Sequence, residues 1–162
     1  MLADHRPRTV GQIEQAVKEK KISLSKIVEL VMTLIESGDL AVAQDETATR
    51  VAKKQTDKLN AYLSDKAQHR VTPGIFASPV IGSGLTYEER LMHFFWLAVS
   101  KGKKQPAEFT AHAAQVLRSE GITILDSEKL YLSAQEGSAA LTAHATFFGE
   151  KLVPMFKALQ VL

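Results

Sequence analysis

Residues 75–102 read IFASPVIGSGLTYEERLMHFFWLAVSKG, an apolar crossing segment that runs straight into the most hydrophobic helical stretch of the chain. Thr86 and Glu89 have the T-x-x-E spacing of a capping box, which predicts that a helix begins there. Beyond it Leu91, Phe94, Phe95 and Ala98 recur at helical spacing. Met92, Trp96 and Val99 widen that stripe until only a strip near Glu89, His93 and Ser100 stays polar. A helix apolar around so much of its girth is covered on two sides, so Leu91, Phe94, Phe95 and Trp96 are the first predicted core residues. The two glycines of VIGSGL, Gly82 and Gly84, read as a tight turn before the helix. A phosphate loop would need a following Lys-Ser/Thr or a G-x-G-x-x-G run, and neither is present.

Working outward toward the N-terminus, Thr9 and Gln12 form another capping box. It opens a helix on Val10, Ile13, Ala16 and Val17 that ends in the basic run KEKK. Ser23 caps a second helix, which carries Leu24, Ile27, Val28, Val31, Leu34 and Ile35 at the 3.6-residue period and stops at Gly38. The two are expected to pack together. LAVAQ, residues 40–44, alternates and reads as a strand with Leu40 and Val42 inward. From Thr47 to about Gln68 runs a long helix with the stripe Ala48, Val51, Ala52, Leu59, Tyr62, Leu63 and Ala67. Because LAVAQ needs a partner for its ladder groups, Ile75 to Ser78 is expected to pair with it, leaving the long helix as an insertion.

Toward the C-terminus, Pro106 suits a first helical turn, and Phe109, Ala113, Val116 and Leu117 make a buried face ended by Gly121. ITIL and LYLS flank the turn DSEK and predict a hairpin. Ser133 and Glu136 form a third capping box for a closing helix with Leu141, Phe147, Phe148, Leu152 and Met155, which Pro154 should kink or split. The pattern as a whole predicts a mainly α chain with small β hairpins, an α+β class. Its expected arrangement is a winged-helix-like N-terminal module, residues 1–84 with a long helix inserted in the wing, packed on a helical C-terminal module. The latter covers residues 85–162 and carries a β-hairpin near 122–132.

Composition narrows the function classes. A chain of 162 residues without cysteine folds without disulfides and holds no thiolate metal site, which fits a reducing cytoplasm. No apolar run is long enough to cross a bilayer, and MLADHRPRTVG has no apolar core of the kind an export signal needs. The 20 Lys and Arg against 18 Asp and Glu give a formal charge of +2, a weak electrostatic footprint for nucleic acid. The second helix would be the reading helix of a winged-helix module, yet its polar positions offer Lys26 and then Glu29, Glu36 and Asp39, which would repel phosphates. A nucleic-acid interface is therefore the alternative reading, resting on Lys26, Arg50, Lys53 and Lys54.

A search for chemistry finds no catalytic, cofactor-binding or metal-binding residue. His93 and His112 each follow a glutamate by four residues, Glu89 and Glu108, so each pair shares a helical face, but no further carboxylates complete a metal site. Serines and histidines occur without a G-x-S-x-G elbow.

Several stretches carry a family resemblance. RPRTVGQIEQAV (residues 6–17), ESGDLAVA (36–43), the pair Leu59-Asn60, FASPVIGSGL (76–85), LVPMFKALQV (152–161) and the spacing between them resemble the C-terminal region of bacterial class I S-adenosylmethionine-dependent methyltransferases. That family includes members assigned as protein-lysine methyltransferases, with a Rossmann-like catalytic domain, a methyltransferase regulatory domain and a C-terminal winged-helix region. The resemblance covers nearly the whole chain, and FASPVIGSG is its most specific part. The glycine-rich strand-loop-helix that would hold the methyl donor is absent from these residues. The resemblance therefore implies a non-catalytic accessory or regulatory region, with S-adenosylmethionine bound by an associated catalytic domain in the same polypeptide. It further implies a protein substrate as partner; a second copy of the chain is a separate expected partner.

Overall fold

The computed structural model of the chain describes residues 4–69, 74–87, 90–119 and 134–162. Two short helices come first, α1 (Val10–Ala16) and α2 (Leu24–Glu36), joined through a tight turn at Lys18–Lys20. The start of each follows from local chemistry. The Gln12 amide donates to Thr9 Oγ1 at 3.2 Å and the Thr9 amide to Gln12 Oε1 at 2.9 Å, closing the predicted capping box. Ser23 Oγ accepts from the Lys26 amide, and Gly38 ends α2 in the left-handed region at φ +81°. As expected, α1 and α2 pack on each other.

The long helix α3 (Glu46–His69) follows, then β1 (Gly74–Ser78) and β2 (Ser83–Tyr87), an antiparallel pair with Phe76 opposite Leu85 and Ala77 opposite Gly84. Three helices complete the described chain before its closing turn: α4 (Leu91–Ser100), α5 (Pro106–Ser119) and α6 (Ala134–Phe147). A wide π turn at Phe148–Leu152 then leads into α7 (Val153–Ala158). The break before α7 falls where Pro154 removes a backbone donor, as its position predicts. The chain is thus mainly helical with one small two-stranded antiparallel sheet among the described residues.

LAVAQ is not a strand. Residues 40–45 form no regular element, and one backbone bond, Gln44 N–H to Val80 O at 2.7 Å, links them to the sheet region. The partner of β1 is β2. The turn between the strands needs only Pro79–Gly82, and closing so short a loop costs far less chain entropy than pairing across the long helix. Thr86 accordingly lies in β2 and caps nothing; α4 starts at Leu91, after Arg90. The predicted hairpin near 122–132, Gly121, Ser133 and Glu89 lie outside the described residues, as does the side chain of Glu136.

Aromatic side chains dominate the core. Phe76, Phe94, Phe95, Phe109, Phe148 and Phe156 are fully buried, and the Phe76 ring lies 5.0 Å from Phe156 and 6.3 Å from Trp96. Phe109 and Phe148 meet edge-on at 5.9 Å, joining α5 to the π turn. Tyr87 closes one side of this cluster, 5.7 Å from Phe156, and burial pushes its hydroxyl pKa up to about 12. The face of α5 expected to be buried, Phe109, Ala113, Val116 and Leu117, is buried.

The packing face of α3 differs from its expected stripe. Val51, Leu59 and Tyr62 are exposed, while Thr49, Asn60, Ser64 and Ala67 face inward. The reason lies in β1, whose second edge has no strand beside it. The Asn60 carboxamide supplies the missing partner: its Nδ2 donates to Ala77 O at 2.9 Å and its Oδ1 accepts from the Ala77 amide at 2.7 Å. One turn on, Ser64 Oγ lies 3.0 Å from His93 Nδ1. His93, expected on a polar strip, is therefore buried against Phe76, the ring centres 4.6 Å apart. Arg90 donates to the carbonyls of Ala67 and Gln68 and so closes the C-terminal end of α3.

The last residues are latched to the same place. Ser78 Oγ donates to Leu159 O at 2.7 Å and accepts from the amides of Val80 and Ile81 within its own turn. Trp96 Nε1 donates to Val161 O at 3.0 Å. Gly82 sits at φ +63°, where a Cβ would lie 1.6 Å from Gln44 Nε2, so the turn is both left-handed and closely approached.

Two stability outcomes follow. Asn60→Ala leaves the partly buried amide and carbonyl of Ala77 unpaired, and urea unfolding should report a loss of about 2 kcal/mol at 25 °C. Gly82→Ala should cost about 1–2 kcal/mol through the left-handed backbone, plus a further loss from its clash with the Gln44 side chain. Adding Gln44→Ala removes the steric part only, so a double-mutant cycle should recover a fraction of that loss.

Candidate functional site: a cationic groove

The N-terminal segment, the start of α3 and the end of α7 meet around an open groove of about 1270 Å³. On α3 the lining residues Glu46, Thr49, Arg50 and Lys53 are spaced i, i+3, i+4 and i+7, one face of the helix. On α7 Pro154, Lys157 and Ala158 repeat the i, i+3, i+4 part of that spacing, and Gln44, Val80 and Gln160 also line the groove. Asp4, Arg6 and Arg8 come from the segment preceding α1. Five cations thus face two carboxylates.

Not all of that charge is free. Arg8 pairs with Asp4 at 2.6 Å, and the Arg6 amide with the two neighbouring guanidinium groups holds the Asp4 carboxyl below its ordinary pKa, the amide contributing most. Lys53 pairs with Asp57 one turn further along α3. Arg6, Arg50 and Lys157 have no carboxylate within ion-pair reach among the described residues. Three unpaired cations around an open concavity suit an anionic segment, and two of them are guanidinium groups able to grip a carboxylate or phosphate with two parallel bonds.

Of the residues singled out in the alternative reading, Arg50 and Lys53 line the groove. Lys26 is on α2, paired with Glu29 at 3.0 Å, and Lys54 is exposed on α3 outside the lining. The sequence signal for the groove was the run RVAKK. Arg6, Arg8 and Lys157 carry no such signal, because only folding brings the two ends of the chain beside α3.

Of the two histidine and glutamate pairs, Glu89 with His93 includes a residue outside the described ones, and Glu108 with His112 lies on α5. Glu108 turns toward its own helix start, accepting the amides of Lys104 at 2.9 Å and Gln105 at 3.1 Å, with Lys103 Nζ 3.6 Å away. Those amide bonds lower its pKa. No group of three metal-ligating side chains occurs among the described residues. His112 is half-buried on α5, and its Nε2 is enclosed without a hydrogen-bond partner. Burial, and then the charges of Lys101 and Lys103, lower its pKa. Among the described residues no helix is long and apolar enough to cross a membrane.

No protein-family model matches the chain, and no solved structure matches it. An uncharacterized protein of Synechocystis sp., sll1526, is similar to it, with 25% identity over 155 residues, 96% of this chain. The matched region is 30% of that protein, so the chain spans less than a third of its relative's length.

The lowered pKa of His112 sets the sign of a pH effect. Between its unfolded pKa, near 6.5, and its lower folded pKa, the unfolded chain binds a proton that the folded chain does not. The contribution is fully present above the unfolded value and is lost as pH falls through the folded one. Denaturation midpoints measured from pH 7.5 downward should therefore fall, and His112→Gln should flatten that fall.

Proposed function

We propose that this chain is an accessory region of an S-adenosylmethionine-dependent methyltransferase, a macromolecule-contacting scaffold whose catalytic domain lies elsewhere. The observation that carries this reading is the way the stretches resembling that family interlock. Asn60 bonds to FASPV across 17 residues of chain, and Ser78 and Trp96 reach LVPMFKALQV across 81 and 65 residues. Residues shared in pattern at such separations are here the joints of the scaffold. The length of the Synechocystis relative, of which the match covers 30%, agrees with a region that works inside a longer protein.

In this reading the groove is the contact surface, and its partner is an acidic segment of the catalytic domain or of the protein substrate. Arg6, Arg50 and Lys157 would supply the attraction, and the carboxylates Asp4 and Glu46 would tune its register. The second reading, nucleic acid, rests on Lys26, Arg50, Lys53 and Lys54, of which Arg50 and Lys53 line the groove. The two carboxylates in the groove and the pairing of Lys26 and Lys53 weigh against it.

Titration calorimetry separates these readings. The isolated chain should give no saturable heat with S-adenosylmethionine, and a saturable one would overturn the proposal. With an acidic peptide as probe, the double substitution Arg50→Glu and Lys157→Glu should weaken binding at least about tenfold at low salt, with the difference shrinking as salt is added. A salt-sensitive shift of duplex DNA abolished by the same substitutions would favour the second reading.

A further inference from the structure

The helix α2 is apolar around more than half its circumference but only partly covered. Ile27 is buried, and Val31, Leu34 and Ile35 are half-buried beneath α1, its main neighbour. Leu24, Val28 and Met32 are left 48%, 43% and 60% exposed. Spaced i, i+4 and i+8, they form one continuous strip along the helix. The polar face, with Lys26 bonded to Glu29 and Thr33 Oγ1 to Glu29 O, lies on the other side.

The charges around this strip are distributed unevenly along the axis. Lys18, Lys20 and Lys21 stand just before α2, while Glu36 ends it and Asp39 follows. Among the described residues none of these five is in an ion pair. We infer that α2 is a self-association surface, on which a second copy of this chain lies antiparallel about a two-fold axis near Val28. In that arrangement Val28 meets its own counterpart, and Leu24 of each copy meets Met32 of the other. Lys20 and Lys21 of each copy come beside Glu36 and Asp39 of the other. Parallel pairing would set like charges together at both ends, so the charge pattern chooses the antiparallel one. Opposed helix dipoles favour the same choice. This inference is independent of the groove and of the methyltransferase reading.

A helix of 13 residues is about 20 Å long, so one such contact sits at the weak end of specific interfaces. Dissociation constants on the order of 10 µM are expected. Sedimentation velocity from about 1 µM to about 200 µM should show the full chain passing from monomer to dimer over that range. Val28→Glu should remain monomeric throughout, with its helical circular dichroism unchanged. A charge-swap pair guards against a variant that fails to fold. The chains carrying Lys20→Glu with Lys21→Glu, and Glu36→Lys with Asp39→Lys, should each associate at least about tenfold more weakly alone. Mixed, they should form a heterodimer as strong as the natural pair. Natural chain that stays monomeric to about 200 µM would overturn the inference, and would give the strip to another part of a longer polypeptide. Dimerisation unaffected by Val28→Glu, or charge-swapped chains that fail to pair on mixing, would overturn it equally.

Discussion

The hairpin of β1 and β2 is too small to stand alone, and its outer edge has to be satisfied by something other than a strand. A two-stranded ribbon in water is marginal, and an unpaired buried amide or carbonyl costs about 1–3 kcal/mol. The Asn60 carboxamide meets both needs, since it offers one donor and one acceptor in the geometry of a peptide group. That single pair of bonds fixes the distance and rotation of α3 relative to β1. Once α3 is fixed, Ser64 is placed against His93, Arg90 against the last carbonyls of α3, and Phe76 between His93 and Phe156. The interior is thus two materials in contact. A polar seam sets orientation, and an aromatic cluster behind it supplies most of the burial.

The difference between these two materials explains what could be read from the sequence. Capping boxes and helix stops depend on residues three or four apart, so Thr9 with Gln12, Ser23 and Gly38 were legible, as were Pro106 and the aromatic and aliphatic face of α5. The seam was not. Asn60, Ser64 and His93 look like surface residues to any reading based on hydrophobic period, because their partners lie 17 and 29 residues away. The same blindness placed Val51, Leu59 and Tyr62 on the inside of α3 and His93 on the outside of α4. LAVAQ failed for a related reason. Its alternation is genuine, but β1 already had a nearer partner in β2 and a side chain on its other edge, so no ladder position remained.

The groove shows the same limit in electrostatic form. Two of its cations, Arg50 and Lys53, stood out as part of a basic run, and that run alone reads as a solvated helix face. It becomes a concavity because Ser78 and Trp96 hold the C-terminal turn down and bring Lys157 opposite Arg50. A formal charge of +2 spread over 162 residues gives no hint of this local surplus. Net charge describes the molecule at a distance beyond a Debye length of about 10 Å, whereas a groove is felt from inside it.

Gln44 ties these regions together. Its amide bonds to Val80, its side chain lies against Gly82, and it also lines the groove. The segment it ends leads from α2 into α3, so the fit at Gly82 fixes where that connection meets the turn of the hairpin. The segment that leads into α1 holds Arg6 and Arg8, which also line the groove. A ligand in the groove therefore meets Gln44 and Val80 beside the hairpin turn, and Arg6 and Arg8 just before α1. The exposed strip of α2 contributes nothing to the lining of the groove, so the two surfaces are joined only through the segments that flank α1 and α2.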